Sequence, residues 1–280
     1  MNNLLRAGMY RRLKDWLFWI VLGVSLAVGV FFGLNFRSQM VFDDFFVMPI
    51  FALLGVFISL SIGREYSDGT IRNKLIAGHT KSAIFISELI LNIISCSLIF
   101  VVYFGVFLCL AAHTLPAMAF GDAVIVIIGY YLLNISFAVI FTVVSCLIPS
   151  RAIGVVVCML LFVAMMVGST QISFMLAQPE VTTIEHYDAN ENLIDTEEHE
   201  NPAYIGGAAR IILQTLDNVL PYGQLDTYLS YMMIYSHSPN PQAVAADYQD
   251  VLYSYPLFSL LLIVVLSGVG LLVFRKRDFK

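Results

Sequence analysis

GREYSDGTIRNKLIAGHTKS, residues Gly63–Ser82, is a polar and basic island in a very apolar chain. It stands between two long hydrophobic runs, Phe45–Ile62 and Ala83–Ala112. Runs of that length decide the fold, because a helix needs about 20 apolar residues to cross a hydrocarbon core about 30 Å thick. Four more segments qualify: Trp16–Leu34, Ala123–Ile148, Ala152–Ala177 and Leu257–Phe274. The chain has 280 residues, 59% hydrophobic and 12% charged, with a mean hydropathy of +0.82. Soluble domains carry about 25% charged residues. The expectation is an all-α membrane protein, one transmembrane domain over residues 1–280 with six transmembrane helices. The third, fourth and fifth spans exceed the minimum length and should tilt or project beyond the bilayer.

The net charge of -5 hides a segregation of sign. With the N-terminus inside, the inner segments hold Arg6, Arg11, Arg12 and Lys14, then Arg64, Arg72, Lys74 and Lys81, then Arg151, and finally Arg275, Lys276, Arg277 and Lys280. Only Arg37 and Arg210 are left outside. The positive-inside rule then predicts that both termini and residues 63–82 are cytoplasmic and that residues 178–256 form a large extracellular loop before the last span. The first apolar run is longer than the ~7 to 15 residues of a secretory signal and continues into FFGLNF, so it reads as a retained span. Cys96, Cys109, Cys146 and Cys158 all fall inside predicted spans without metal-ligand spacing, and read as packing residues.

Residues 1–15 place Leu5, Met9 and Leu13 at i, i+4, i+8, flanked by Arg6, Arg11, Arg12 and Lys14. That pattern predicts an amphipathic interfacial helix whose basic groups reach lipid phosphates. A plain basic anchor for the first span is the alternative.

The segment 178–256 has a different composition, with 12 of the 20 acidic residues and nine of the 14 tyrosines. TTIEHYDANENLIDTEEHE (182–200) has β-branched residues on both sides of an Asp/Asn cluster, which predicts a small hairpin. Ile205, Ala209, Ile212, Leu216 and Val219 then recur at helical spacing until Pro221. LDTYLSYMMIYSH (225–237) is a second amphipathic piece. Tyr222, Tyr228 and Tyr235 are candidate members of an outer gate, their rings half buried and their hydroxyls wet; an interfacial packing layer is the alternative. His186 and His199 lie among acidic residues, but their separation suits a solvated loop better than a metal site.

No phosphate-binding loop is present. GHTKS resembles the end of one, yet Leu75 and Thr80 stand where its glycines belong. Glu88 is the ionisable residue clearly within a span, near the inner end of the third. It is expected to snorkel inward or to pair with Arg64 or Arg72, with a substrate or proton contact as the alternative. The NIS sequence at Asn134 lies inside a span, which excludes a glycosylation role.

Within the island, Ser67 or Asp68 is expected to cap a short helix through Ile71 and Leu75, with Gly78 as a left-handed end. Arg72 and Asn73 would point away from the Ile71 and Leu75 face. REYSDGTIRNKLIAGHTKS resembles the E-[YF]-x-x-G-T-[IL]-R-x-K-L-x-x-G segment of bacterial ABC-2-type permeases. The matching positions are Glu65, Tyr66, Gly69, Thr70, Ile71, Arg72, Lys74, Leu75 and Gly78. The six-span pattern, the basic amphipathic start and LPYGQ (220–224) are also similar to that family. Lys81 stands where the family often has arginine, and Glu88 where it often has lysine.

The resemblance implies that Glu65–Gly78 is a coupling helix seated in a separate ABC ATPase subunit, which binds the ATP. It implies a second permease chain, an amphipathic or hydrophobic substrate, and a bacterial cell membrane. No catalytic residue, bound cofactor, metal or nucleic acid partner is expected. Two other functions stay open on the residues alone: an ion-coupled secondary transporter using Glu88, and a membrane-bound sensor or immunity protein binding a ligand through its outer loop.

Overall fold

The computed structural model describes residues 2–35, 47–112, 118–187 and 193–277. Helix α1 (Asn2–Lys14) leads into α2 (Trp16–Asn35), α3 (Met48–Ser67), the short α4 (Thr70–Ile76), α5 (Lys81–Ala111), α6 (Phe120–Leu147) and α7 (Arg151–Leu176). A hairpin of β1 (Val181–Tyr187) and β2 (Leu193–Glu200) follows, then α8 (Gly207–Val219), α9 (Pro221–His237) and α10 (Pro241–Lys276). Helices α2, α3, α5, α6, α7 and α10 are each long and apolar enough to cross a membrane. The chain is a mostly helical, multi-pass membrane protein.

The distribution of polarity follows from that solvent. Leu160, Leu257 and Val264 are more than 60% exposed, while Ser25, Ser59, Asn92, Asn134 and Thr142 are at most 1% exposed. Lipid offers apolar surface no reason to hide, whereas polar groups gain by finding partners between helices. Ser59 Oγ lies 3.0 Å from Ser145 Oγ, joining α3 to α6, and Asn92 Nδ2 donates to Thr142 Oγ1 at 3.1 Å, joining α5 to α6. Between these bonds runs an aromatic core. The Phe51 ring stacks on Phe137 at 4.6 Å, and Phe137 meets Phe141 at 5.9 Å and Phe162 at 5.8 Å. Helix α2 packs on α5 through Gly29, where a β-carbon would stand 2.7 Å from the Tyr103 carbonyl oxygen.

Two boundaries and one helix face differ from the sequence reading. The second span continues through Ser67, so the first residues of the island are helix; the Phe45–Phe46 start assigned to it lies outside the described residues. The last long helix begins at Pro241 rather than Leu257 and carries Pro256 in its interior. Proline removes one helical hydrogen bond, but side chains on both sides of it are tied to α9. Tyr255 Oη donates to Thr227 Oγ1 at 3.0 Å, and Ser259 Oγ donates to Gln224 Oε1 at 2.7 Å. Tertiary anchoring carries the helix through a residue that ends most helices.

The third difference is in α1. Its buried positions are Leu4, Gly8 and Arg12, one residue before the predicted Leu5, Met9, Leu13 stripe. Leu13 is 44% exposed. The rotation brings Gly8 against Leu91 of α5 and turns Arg12 inward, where a buried carboxylate holds it.

The hairpin matches the reading of residues 182–200, with Val181 opposite Glu200 and Tyr187 opposite Leu193. Its Asp/Asn turn cluster at 188–192 lies outside the described residues. Helix α8 ends at Val219, before Pro221 as the pattern predicts, and α9 starts at Pro221 itself rather than at Leu225, where the expected second piece began.

Candidate functional site

The island is built as a corner. At the end of α3, Asp68 N donates to Arg64 O at 2.9 Å and Gly69 N to Tyr66 O at 3.1 Å. Gly69 then takes φ 67, a left-handed backbone open to glycine at little cost, and starts α4 directly. Neither expected cap acts on α4. Because α3 runs through Ser67, its hydroxyl donates back to Gly63 O at 2.7 Å and accepts from Arg151 Nε at 2.6 Å. Asp68 Oδ1 accepts from Arg151 Nη2 at 2.9 Å. The other end is as predicted: Gly78 has φ 86, His79 N donates to Lys74 O at 3.1 Å and Gly78 N to Leu75 O at 3.0 Å. Those two bonds are the Schellman pair that closes a helix with glycine. Thr80 Oγ1 then accepts from Ala83 N at 3.2 Å and opens α5.

The corner has two faces. Ile71 and Lys74 are buried, Leu75 packs against the core, and Arg72, Asn73 and Ile76 are exposed. Ile76 is 76% exposed, an apolar side chain on the open side of a two-turn helix. The expected outward direction of Arg72 and Asn73 is therefore observed.

Glu88 organises the inner face. Its carboxylate is 2% exposed. Oε1 accepts from Lys74 Nζ at 2.7 Å, and Oε2 from Arg12 Nη2 at 3.3 Å. The same Arg12 nitrogen donates to Asn92 Oδ1 at 2.8 Å, and the guanidinium lies 5.6 Å from the Phe57 ring centre. Lys74 Nζ also donates to Glu65 Oε2 at 2.8 Å, and Glu65 Oε1 faces Arg11 Nη1 at 3.1 Å. This corrects the expected pairing of Glu88 with Arg64 or Arg72. Arg64 Nη1 is 2.5 Å from Asp15 Oδ1, at the joint between α1 and α2, and Arg72 faces outward. A carboxylate buried this deeply is held only where cations are buried with it, and among the described residues Lys74 and Arg12 reach it.

Of the residues singled out in the island, Glu65, Tyr66, Ile71, Lys74 and Leu75 thus face the protein, and Arg72 faces out. Thr70 lies at the edge and Gly69 and Gly78 shape the two turns. Tyr66 binds the far end of the chain: its hydroxyl donates to Cys146 O on α6 and accepts from Arg277 Nη1 at 3.1 Å. Arg277 Nη1 also donates to Cys146 O at 2.6 Å, and Lys81 Nζ donates to Arg277 O. The sequence reading missed Arg12 as a site residue. Its only signal was the i, i+4, i+8 series Leu4, Gly8, Arg12, and nothing in that series distinguishes an inward arginine from a lipid-facing one.

The tyrosine layer differs from the expected wet gate. Tyr222, Tyr228 and Tyr235 are 2%, 0% and 7% exposed. The Tyr228 ring lies 5.4 Å from Tyr130 and 5.6 Å from Tyr255, and Tyr222 Oη points at Met48 Sδ at 3.6 Å. Burial raises the Tyr228 hydroxyl above the usual phenol range and pushes Tyr231 up to about 12. The rings are buried because α9 is not laid on the surface but packed against α6, α7 and α10. Beside them, burial and then the Asp226 carboxylate push Asp217 up to about 6.

Fold and site define a helical multi-pass membrane protein whose α3–α4–α5 corner is joined to α1 by the buried Arg12–Glu88 ion pair. No protein-family model and no curated protein sequence matches the chain.

Proposed function

We propose that the chain is the membrane-spanning permease subunit of an ATP-driven exporter of the ABC-2 type. In this reading α4 is the coupling helix, seated by Arg72, Asn73 and Ile76 in a separate ATPase subunit. The observation that carries the reading is the two-faced α4. One side of it is bolted to the long helices through Lys74 and Glu88, and the other presents a cation and an exposed isoleucine. A force applied to the outer side has a rigid route inward, because Lys74 links α4 to α5 and Arg12 links the same carboxylate to α1.

The charge distribution supports cytoplasmic termini, a cytoplasmic α4 and an outer position for residues 178–256. Two permease chains and two ATPase chains form the assembly, in the bacterial cell membrane that the resemblance implies. Closure of the ATPase pair on ATP moves α4, and the tyrosine layer over α6, α7 and α10 opens towards the outside. The substrate class is amphipathic or hydrophobic. The chemistry of the chain itself is conformational, and ATP is bound by the partner.

Co-purification of an ATPase subunit with the full chain, lost on Arg72→Glu while the fold is retained, is the expected result. Proton-dependent uptake into vesicles without ATP, abolished by Glu88→Gln, would overturn the proposal. Ligand binding through residues 178–256 without any transport would overturn it as well.

A further inference from the structure

The ends of four long helices meet at one level beside the α3–α4 corner. Arg151, at the start of α7, donates to Ser67 Oγ at 2.6 Å and to Asp68 Oδ1 at 2.9 Å, where α3 ends. Arg277, just past α10, donates to Tyr66 Oη at 3.1 Å and to Cys146 O, in the last turn of α6, at 2.6 Å. The charged Arg64, Arg151 and Arg277 mark that level as one boundary of the hydrocarbon layer. Height above it can be counted along each helix at about 1.5 Å per residue, against a layer about 30 Å thick.

Counted this way, α8 goes down and α9 comes back up. Leu176, the last residue of α7, stands about 37 Å above the corner, and its carbonyl accepts from Arg210 Nη2 on α8 at 2.8 Å. Phe162 of the same helix stands only about 16 Å up, and its ring lies 6.2 Å from that of Tyr222, at the start of α9. Tyr130 of α6 and Ser259 of α10 each stand about 25 Å up. The Tyr130 ring lies 5.4 Å from Tyr228, and Ser259 Oγ donates to Gln224 Oε1 at 2.7 Å. Ser173, about 33 Å up, donates to Asp226 Oδ2 at 3.0 Å. A tilt of about 20° shortens these heights by only about 6%. The turn between α8 and α9 therefore lies below the top of the layer, although neither helix is long enough to cross it.

The surface of α8 fits that depth. Arg210, Leu213 and Asp217 turn towards the protein, while Ala209, Ile212 and Leu216 are exposed. Ile212 is 60% exposed and Asp217 only 7%. That distribution is inverted for a helix in water, but it continues the apolar outer surface of α7, where Leu160 and Phe174 are also exposed. Polar groups near the turn are served from within the hairpin, as a solvent without hydrogen bonds requires. Thr215 Oγ1 donates to Ile211 O at 2.7 Å, Leu220 N to Leu216 O at 2.9 Å, and Gln224 Nε2 to Asn218 O at 2.7 Å. We infer that α8 and α9 form a re-entrant hairpin that dips into the bilayer from the face where α7 ends, with Ile212 and Leu216 resting on lipid acyl chains. The inference needs the chain to sit in a membrane and does not depend on the transport reading.

The test is nitroxide accessibility of the full chain in lipid nanodiscs, with Cys96, Cys109, Cys146 and Cys158 replaced by alanine and one label introduced at a time. Ile212→Cys and Leu216→Cys labels should collide with oxygen several-fold more than with a water-soluble nickel chelate. They should match Val264→Cys on the exposed side of α10 and differ from Glu198→Cys on the hairpin strand β2. In the otherwise unaltered chain, Ile212→Asn should lower the unfolding midpoint in nanodiscs by at least about 3 °C, and Ile212→Leu should not. Collision ratios at 212 and 216 equal to those of Glu198→Cys would overturn the inference, as would a wild-type midpoint in Ile212→Asn. Labels shielded from both probes and coupled to the same label on a neighbouring chain would give the stripe to a second copy and overturn the lipid contact.

Discussion

Replacing Lys74 by methionine removes the closer of the two cations on Glu88 and leaves the side-chain volume nearly unchanged. The lost contact is 2.7 Å long and its carboxylate is 2% exposed. Two unit charges 4 Å apart at an effective dielectric of 20 attract by about 4 kcal/mol. Breaking one side of a buried pair typically costs about 3 to 5 kcal/mol, because the other charge stays buried. Arg12 cannot compensate fully, since the nitrogen that reaches Glu88 at 3.3 Å is shared with Asn92 at 2.8 Å. At about 2 to 4 °C per kcal/mol, Lys74→Met should lower the unfolding midpoint by roughly 6 to 20 °C. The assay is thermal unfolding of the purified chain in detergent or nanodiscs, with Arg72→Met as the exposed control expected within about 0.5 kcal/mol of wild type. Glu88→Leu alone should cost at least as much, because Lys74 keeps Glu65 but Arg12 is left buried with only the neutral Asn92. The double variant Lys74→Met/Glu88→Leu should therefore stay close to Glu88→Leu, with a coupling of at least about 1.5 kcal/mol in the cycle. Additive losses, or equal losses in Lys74→Met and Arg72→Met, would refute the buried clamp.

Ile76→Asp, like Arg72→Glu, should leave the unfolding midpoint within about 0.5 kcal/mol of wild type while abolishing ATPase co-purification, because it changes only the exposed side of α4. Gly78→Ala should destabilise by about 1 to 2 kcal/mol, read by the same unfolding assay, since φ 86 puts a β-carbon in the left-handed region. Asp217 has a pH signature. Its folded pKa of about 6 lies above its unfolded value, so the folded state binds more protons between about pH 4 and pH 6 and stability falls as pH rises through that window. Asp217→Asn should remove this decline and be the more stable protein at pH 7, measured as the difference in midpoint across pH 4 to 8.

Period, length and turn chemistry made much of the architecture legible. Six apolar runs, the hairpin of 182–200 and the α8 stripe ending before Pro221 are local patterns, and each became the expected element. Gly78 was legible for the same reason, since a helix end needs a left-handed residue whatever surrounds it. Pro256 was misleading because a local rule was overruled by distant partners, Thr227 and Gln224 on α9. The direction of α1 was also hidden: Leu5, Met9 and Leu13 form as good a stripe as Leu4, Gly8 and Arg12 until α5 supplies a carboxylate.

By itself the sequence determined the solvent of this protein, the number of its long helices and the existence of a helical corner between the second and third. Those depend on hydrophobic length and on residues a few positions apart. Only the tertiary structure decided which charges meet. Glu88 lies 14 residues from Lys74 and 76 from Arg12, and the pairing depends on the rotation of α1 and the fold-back of α4 onto α5. Coulomb attraction and desolvation act on distance in space, and sequence separation carries no record of that distance.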